Sequence, residues 1–198
     1  MESITDKILK AGRRQTVFRA GDIPGTHDAR STLRRMVRAG HLLQAGRGLY
    51  RLPSAEVSAN HSVAESTLRY PGGVICLVSA LAFHGIGTQI PHETWMMRRD
   101  RKAPPKEGSV RFVYCTGPGF DQGIEEHVIE GVKVRIYAPA RTIADCFKYR
   151  NKIGLDIALE ALREGWRGKR FTMDELWAAA KVCRVQGIMQ PYIEMLVQ

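Results

Sequence analysis

Long apolar runs are missing from this chain of 198 residues. No stretch approaches the ~18 apolar residues that a membrane-spanning helix needs, and the N-terminal segment MESITDKILKAG lacks the apolar core of a secretory signal. Cysteines are few, and Cys76, Cys115, Cys146 and Cys183 lie 31 to 39 residues apart with no C-x-x-C pair. This spacing excludes a zinc knuckle and predicts buried free thiols. We therefore expect a protein of the reducing cytoplasm with no membrane partner.

The signatures of common enzyme classes are also absent. The chain has no Walker phosphate loop, no G-x-S-x-G, no H-E-x-x-H and no nucleotidyltransferase-like G-S followed by D-x-D. A restriction-like nuclease would hold Mg²⁺ with clustered carboxylates beside a lysine, and the nearby candidates are Asp121, Glu125, Glu126, Glu130 and Lys133. Gly131 occupies the place of the acid expected two residues before the lysine. We predict no catalytic residue, no metal and no cofactor, and the nuclease stays as the alternative.

Acidic residues are scarce in the first quarter of the chain. The net charge is +10, and residues 1–53 hold eleven Lys/Arg against four Asp/Glu. A basic excess concentrated in one segment indicates a polyanionic partner.

These basic residues repeat on one face of a predicted helix that begins near Thr26. At about 100° per residue, one stripe holds Ala29, Leu33, Met36 and Val37, and the arginines occupy the opposite side. Gly40 suits the end of this helix. Two short strands, His41–Gln44 and Leu49–Leu52, follow around the turn Gly46-Arg47-Gly48.

The segment before this helix predicts a short helix ending at Gly12, a brief strand at Thr16–Arg19, a second short helix near Ala20–Ile23 and a break at Pro24-Gly25. Helix, strand, helix, turn, helix, hairpin is the order of a winged helix-turn-helix. The N-terminal end of the last helix of such a domain enters the DNA groove most deeply. We expect base-edge contacts from Arg30, Ser31 and Arg34, and backbone contacts from Arg35 and Arg38. Arg47 at the wing tip and Arg51 are further candidates for DNA contact.

The chain after Pro53 predicts a second domain, residues 54–198. Strands are predicted at Thr94–Arg99, Val110–Thr116, Glu126–Ile129 and Val132–Tyr137, and the last third is helical. The fold class is therefore α+β: a winged helix-turn-helix at residues 1–53, then a mixed α/β domain with a small, mostly antiparallel sheet flanked by helices. Pro191 suits the first turn of the last helix.

Three polar side chains of this second part could be mistaken for a site. Arg141 and Asp145 stand at i, i+4 on the helix that Pro139 opens, and we interpret them as a structural ion pair. His84 follows an apolar helix and is interpreted as a packed or capping histidine. No residue at metal-ligand spacing accompanies it.

Four stretches of the chain resemble the AbiEi-type antitoxins and related transcriptional regulators of bacterial abortive-infection (type IV) toxin–antitoxin loci. They are STLRRMVRAGHLLQAGRGLYRLP at 31–53, LVSALAFHGI at 77–86, YAPARTIADCFKYRNKIGLDIALEAL at 137–162 and QPYIEML at 190–196. The resemblance implies a winged helix that binds inverted repeats in its own promoter and represses its own operon. It also implies a C-terminal domain linked to neutralising a nucleotidyltransferase toxin. We expect a monomer or weak homodimer, with two copies on the DNA.

Overall fold

The structure, a computed structural model, describes residues 2–23, 26–100 and 109–197, without the side chains of residues 26–28 and 197. The chain divides into two compact units. The first is Met1–Pro71 with Val128–Val134, and the second is Gly72–His127 with Arg135–Gln198. The predicted boundary after Pro53 falls inside the first unit, and the division into functional domains at 1–53 and 54–198 stays a prediction.

The described residues of the first unit form three helices and a three-stranded sheet. Its elements are α1 (Ile4–Arg14), β1 (Phe18–Arg19), a 3-10 turn (Ala20–Asp22), α2 (Thr26–Arg38), β2 (Leu43–Gly46), β3 (Leu49–Arg51) and α3 (His61–Arg69). Strand β3 lies in the middle and pairs antiparallel with both neighbours. The predicted second helix is present only as the 3-10 turn. The predicted break at Pro24-Gly25 lies outside the described residues.

The core of this unit lies between α1, α2 and the sheet. Its buried members are Ile8, Phe18, Ile23, Ala29, Leu33, Met36 and Leu42. The predicted end of α1 at Gly12 is wrong, because the helix continues to Arg14. A Cβ at Gly12 would come within 2.8 Å of Leu52 Cγ, so this glycine permits close packing instead of ending the helix.

In the part of the second unit that the structure describes, the chain forms most of a five-stranded sheet and six helices. Its elements, with the whole β7–β8 hairpin, are β4 (Val74–Ile75), α4 (Leu77–His84), β5 (Thr94–Arg98), β6 (Val110–Tyr114), a 3-10 turn (Pro118–Phe120), β7 (Ile124–Ile129), β8 (Val132–Tyr137), α5 (Pro139–Lys148), α6 (Arg150–Ile153), α7 (Leu155–Arg167), α8 (Met173–Cys183) and α9 (Gln186–Val197). The sheet order is β6-β5-β4-β8-β7. The mixed α/β class is thus confirmed for the described residues.

Strand directions in the five-stranded sheet correct the predicted, mostly antiparallel arrangement. Strands β4 and β5 are antiparallel, as β7 and β8 must be because only the two residues Glu130 and Gly131 join them. The pairs β4–β8 and β5–β6 are parallel. Parallel pairing is possible because long stretches of chain connect the paired strands, and the stretch from β4 to β8 includes α4. The alternation of apolar residues within a strand does not show whether the strand pairs parallel or antiparallel.

Helix α5 is the centre of the second unit. Every residue from Ala140 to Phe147 is buried, and the helix packs against α4, α7 and α8. The final helix begins at Gln186, so Pro191 lies inside α9 and its predicted place in the first turn is wrong. The buried apolar residues Val185 and Met189 extend the helical packing to the N-terminal side of that proline. None of the helices in the described part of the chain is long and apolar enough to cross a membrane.

Candidate nucleic-acid interface

Helix α2 has one buried and one exposed face. The buried side chains are Ala29, Thr32, Leu33 and Met36, and Val37 is half-buried. The exposed residues are Arg30, Ser31, Arg34, Arg35 and Arg38. At about 100° per residue, Arg30, Arg34 and Arg38 form one stripe, which Ser31 and Arg35 flank. The predicted amphipathic pattern of this helix is confirmed for the residues whose side chains are described.

The local sequence fixes the orientation of α2. Leu33 and Met36 are inserted into the core of the first unit, so the arginines must point outward. The helix stops because Gly40 adopts a left-handed conformation, with φ at +76°. The backbone N–H groups of His41 and Leu42 then donate to the Met36 carbonyl, which ties the following strand to the helix.

Three arginines of α2 have no acidic partner among the described residues, unlike several arginines of the second unit. Among the residues described, none offers a carboxylate within 4.0 Å of Arg34, Arg35 or Arg38. In the second unit, by contrast, Arg98 pairs with Asp100 and Arg111 pairs with Glu93. A row of exposed guanidinium groups without such partners forms a positive surface. Phosphate can bind there without first breaking an existing ion pair.

The β2–β3 hairpin carries a further exposed arginine outside α2. Arg47 lies at the turn and is exposed, and the next residue, Gly48, has φ at +74°, a conformation that favours glycine. Arg51 is half-buried on β3. The seven residues predicted to contact DNA therefore all lie on α2 or this hairpin of the first unit, and their contacts with DNA stay predictions.

The carboxylates of the alternative nuclease site do not form a cluster. Asp121 pairs with Arg99 and Arg135, Glu125 with His127, and Glu130 with His61. Across residues 2–23, 26–100 and 109–197, no three His, Cys, Asp or Glu side chains lie where they could hold a metal ion. The alternative therefore has no preformed metal site in this part of the chain.

Arg141 and Asp145 form the predicted ion pair. Arg141 Nε donates to Asp145 Oδ2 at 3.0 Å, and the two side chains are 3% and 0% exposed. Arg141 Nη1 also donates to the carbonyl of Gln122 at 2.9 Å, and the guanidinium lies 4.5 Å from the centre of the Tyr137 ring. These contacts explain the pair as part of the packing around α5.

His84 and the cysteines also have structural explanations. Burial lowers the pKa of His84, so the ring is neutral at pH 7, and its Nε2–H donates to the Tyr137 carbonyl at 2.8 Å. All four cysteines are free, and Cys115 is the one that is partly exposed. Burial raises the pKa of the Cys76 and Cys146 thiols, which keeps them protonated and unreactive.

Sequence reasoning missed two contacts of the first unit. His61, at the start of α3, donates from Nδ1 to the carboxylate of Glu130 at 2.7 Å. The Ser58 backbone N–H donates to the same carboxylate, also at 2.7 Å. These residues are about 70 positions apart in the chain, and no local pattern links them.

Comparisons with known proteins concern the N-terminal segment of the chain and its fold. Residues 7–53 match the family described as "Transcriptional regulator, AbiEi antitoxin", and this segment contains all seven predicted DNA-contact residues. No curated protein matches the chain. The crystal structure of the RV2827C protein from Mycobacterium tuberculosis matches 98% of this chain and 80% of its own, with a TM-score of 0.56 and 16% sequence identity. At that identity the likeness shows the fold alone. The resemblance that the helix and hairpin predicted is thus confirmed over residues 7–53, which match the AbiEi antitoxin family of transcriptional regulators.

Proposed function

We propose that this protein is a DNA-binding transcriptional regulator that represses its own operon. Its first unit would act as a winged helix-turn-helix, with α2 as the recognition helix and the β2–β3 hairpin as the wing. The observation that carries the proposal is the row of exposed arginines on α2, which lies opposite a face that is buried in the core. The family match over residues 7–53 supports it independently.

The dimensions of DNA favour this assignment of roles. A major groove is about 12 Å wide and admits one helix. Arg30 and Ser31 lie in the N-terminal half of α2, the end that reaches base edges in helix-turn-helix proteins, and Arg34 lies one turn after Arg30 on the same face. Arg35 and Arg38 lie nearer its C-terminus, where contact with the phosphate backbone is expected. One recognition helix covers one half-site, so we infer two copies of the chain on an inverted repeat, supplied by monomers or a weak homodimer.

Binding to the promoter DNA of the protein's own gene tests the proposal. Affinity is measured by fluorescence anisotropy between about 50 and 200 mM salt for the wild type and for Arg34→Ala/Arg38→Ala. We expect the double variant to bind at least about tenfold more weakly, because bidentate contacts to bases and phosphates are each worth roughly 1–3 kcal/mol. The dependence of log affinity on log salt should flatten by about 1 for each phosphate that the variant no longer neutralises.

The matched control is Arg163→Ala/Arg167→Ala. These two arginines are also exposed, stand at i, i+4 near the end of helix α7, and carry the same charge. Their removal should leave operator affinity within about twofold of the wild type. Equal losses of affinity in the two double variants would mean that net charge alone drives binding, and the assignment of α2 would then be wrong.

The cognate toxin is a second proposed partner, and the family description is the observation that favours it. We propose that the second unit contributes to neutralising a nucleotidyltransferase-like toxin encoded beside this gene. Co-expression with that neighbouring product should rescue growth, and a toxin that stays lethal in the presence of this chain would contradict the proposal.

We further propose that the chain is not an enzyme and acts in the cytoplasm, where its operator lies. The separated carboxylates Asp121, Glu125 and Glu130 support the first statement against the nuclease alternative. A plasmid cleavage assay with Mg²⁺ or Mn²⁺ decides it. Metal-dependent cutting that Glu130→Ala abolishes would overturn our assignment.

A further inference from the structure

The tip of the β7–β8 hairpin lies against both ends of residues 16–58, the segment that we propose binds DNA and that we call the DNA-binding segment. We define the clasp as residues Val128–Val134, which group with the first unit. On one side, the carbonyl of Glu130 accepts the Thr16 N–H at 3.1 Å, and the carbonyl of Gly131 accepts a hydrogen bond from Gln15 Nε2 at 3.3 Å. Residues 15 and 16 belong to the connection between α1 and β1.

On the other side, the clasp contacts the chain as it enters α3. The Glu130 carboxylate accepts the Ser58 N–H at 2.7 Å and the His61 Nδ1–H at 2.7 Å. The Glu130 side chain is 6% exposed, so these two donors replace most of its water. The 3-10 turn, α2 and the β2–β3 hairpin all lie between Thr16 and Ser58 in the chain. One glutamate therefore holds the beginning and the end of the DNA-binding segment.

The backbone of the clasp is specialised for this contact. Glu130 has φ at +52°, a left-handed conformation that a two-residue hairpin turn usually gives to Asn, Asp or Gly. Gly131 has φ at +80°, and a Cβ there would collide with the carbonyl oxygen of Arg14. A residue keeps a strained backbone conformation where the contacts around it hold it in place. Here those contacts come from the two ends of the DNA-binding segment.

We propose that Glu130 is a positioning residue for DNA recognition, and that the clasp is a necessary part of the DNA-binding unit although about 70 residues separate the two in sequence. This inference rests on the proposed function. Holding both ends of the segment limits the arrangements that α2 and the hairpin adopt before they meet DNA. Without the clasp only a fraction of the molecules is competent to bind, and the apparent dissociation constant rises by the inverse of that fraction.

The test uses the full-length protein and Glu130→Gln. A glutamine can accept the Ser58 N–H with its one amide oxygen, but its NH₂ group then faces His61 Nδ1, which must change tautomer to accept it. Both hydrogen bonds also lose the negative charge of the carboxylate and become weaker. We expect operator affinity to fall about tenfold with the slope of log affinity against log salt unchanged, because the bound complex makes the same phosphate contacts. A flattened slope would instead mean that the bound complex has lost phosphate contacts, so that the substitution changes the interface itself. The matched control is Glu126→Gln, an exposed glutamate on β7 that loses the same charge.

Two further variants separate positioning from general damage to the fold. His61→Asn keeps an N–H donor near the place of Nδ1 and should retain affinity, whereas His61→Ala should lose it. In the free protein, hydrogen exchange at the Thr16 and Ser58 amides should become faster in Glu130→Gln and stay unchanged in Glu126→Gln. If Glu130→Gln lowers the fraction of active protein, the difference in operator affinity between His61→Asn and His61→Ala tests whether the hydrogen bond to Glu130 positions the DNA-binding segment.

The outcomes distinguish the inference from the function on which it rests. Wild-type protein that fails to bind its promoter would overturn the proposed function and the inference together. Wild-type protein that binds, with Glu130→Gln binding equally well or with a flattened salt slope, would overturn the inference alone.

Discussion

Replacing Asp145 with alanine should destabilise the second unit strongly and leave DNA recognition intact. The substitution removes the carboxylate from a guanidinium that is 3% exposed. Asp145 also accepts a hydrogen bond from Cys183 Sγ at 3.2 Å. Removing one partner of a buried ion pair costs roughly 3–5 kcal/mol, because the remaining charge stays buried without its counter-ion. For a protein of this size, that corresponds to a fall in Tm of roughly 6–20 °C.

The three tryptophans make the measurement specific. Trp95, Trp166 and Trp177 all lie in the second unit, so the unfolding of that unit in urea can be followed by tryptophan fluorescence at pH 7. The transition of Asp145→Ala should move to lower urea with an unchanged m value, since the surface exposed on unfolding is the same. Where the variant is folded, its operator affinity should equal that of the wild type.

A paired substitution tests the reasoning about the charge. Arg141→Met/Asp145→Ala removes both ions, and its cost should be at least about 1 kcal/mol smaller than that of Asp145→Ala alone. Full recovery is not expected, because the Gln122 carbonyl loses the Arg141 donor. A double variant less stable than the single one, or an Asp145→Ala variant within about 1 kcal/mol of the wild type, would refute the argument.

Two further predictions concern the first unit. Arg47→Ala should weaken operator binding about threefold to tenfold and flatten the slope of log affinity against log salt by about 1. One exposed arginine at the turn supplies at most one phosphate or minor-groove contact. An unchanged slope in the anisotropy titration would show that Arg47 does not contact the DNA backbone. Acidification should release the clasp. Burial alone would raise the pKa of the Glu130 carboxyl, but the hydrogen bonds from His61 and Ser58 outweigh it and hold the pKa below its usual value of 4.5. A carboxylate with a lowered pKa in the folded state stabilises the fold above its unfolded pKa, and that contribution disappears as the pH falls through the folded pKa. Faster hydrogen exchange at Thr16 should therefore appear below about pH 4.5 in the wild type and be nearly independent of pH in Glu130→Gln, after correction for intrinsic exchange rates.

Much of the helical structure and of the candidate site follows from local sequence. The spacing of Ala29, Leu33 and Met36 predicted which face of α2 is buried, and hence that the arginines are exposed. The capping box from Thr172 to Glu175 marks the beginning of α8, and Pro139 opens α5. These features depend on contacts within a few residues, so their signal is present in any short window of the chain.

Other expectations failed where packing overrides local preference. Gly12 resembles a helix terminator, yet α1 continues through it to Arg14, and the glycine is explained by close packing, since a Cβ there would come within 2.8 Å of Leu52 Cγ. Pro191 resembles a helix start, yet α9 begins before it, where Val185 and Met189 are buried. The direction of strand pairing also escaped the sequence, since alternation of apolar residues is the same in parallel and antiparallel strands.

The sequence by itself determined the amphipathic helix α2, its arginine face, the hairpin with Arg47 at its turn and the family resemblance over residues 7–53. These properties lie within one continuous stretch, where periodicity and turn chemistry are sufficient. Only the tertiary structure decided that Glu130 joins the first unit and hydrogen-bonds to Ser58 and His61. The reason is physical: a hydrogen bond between residues about 70 positions apart depends on how the whole chain packs, and no local pattern encodes that partner.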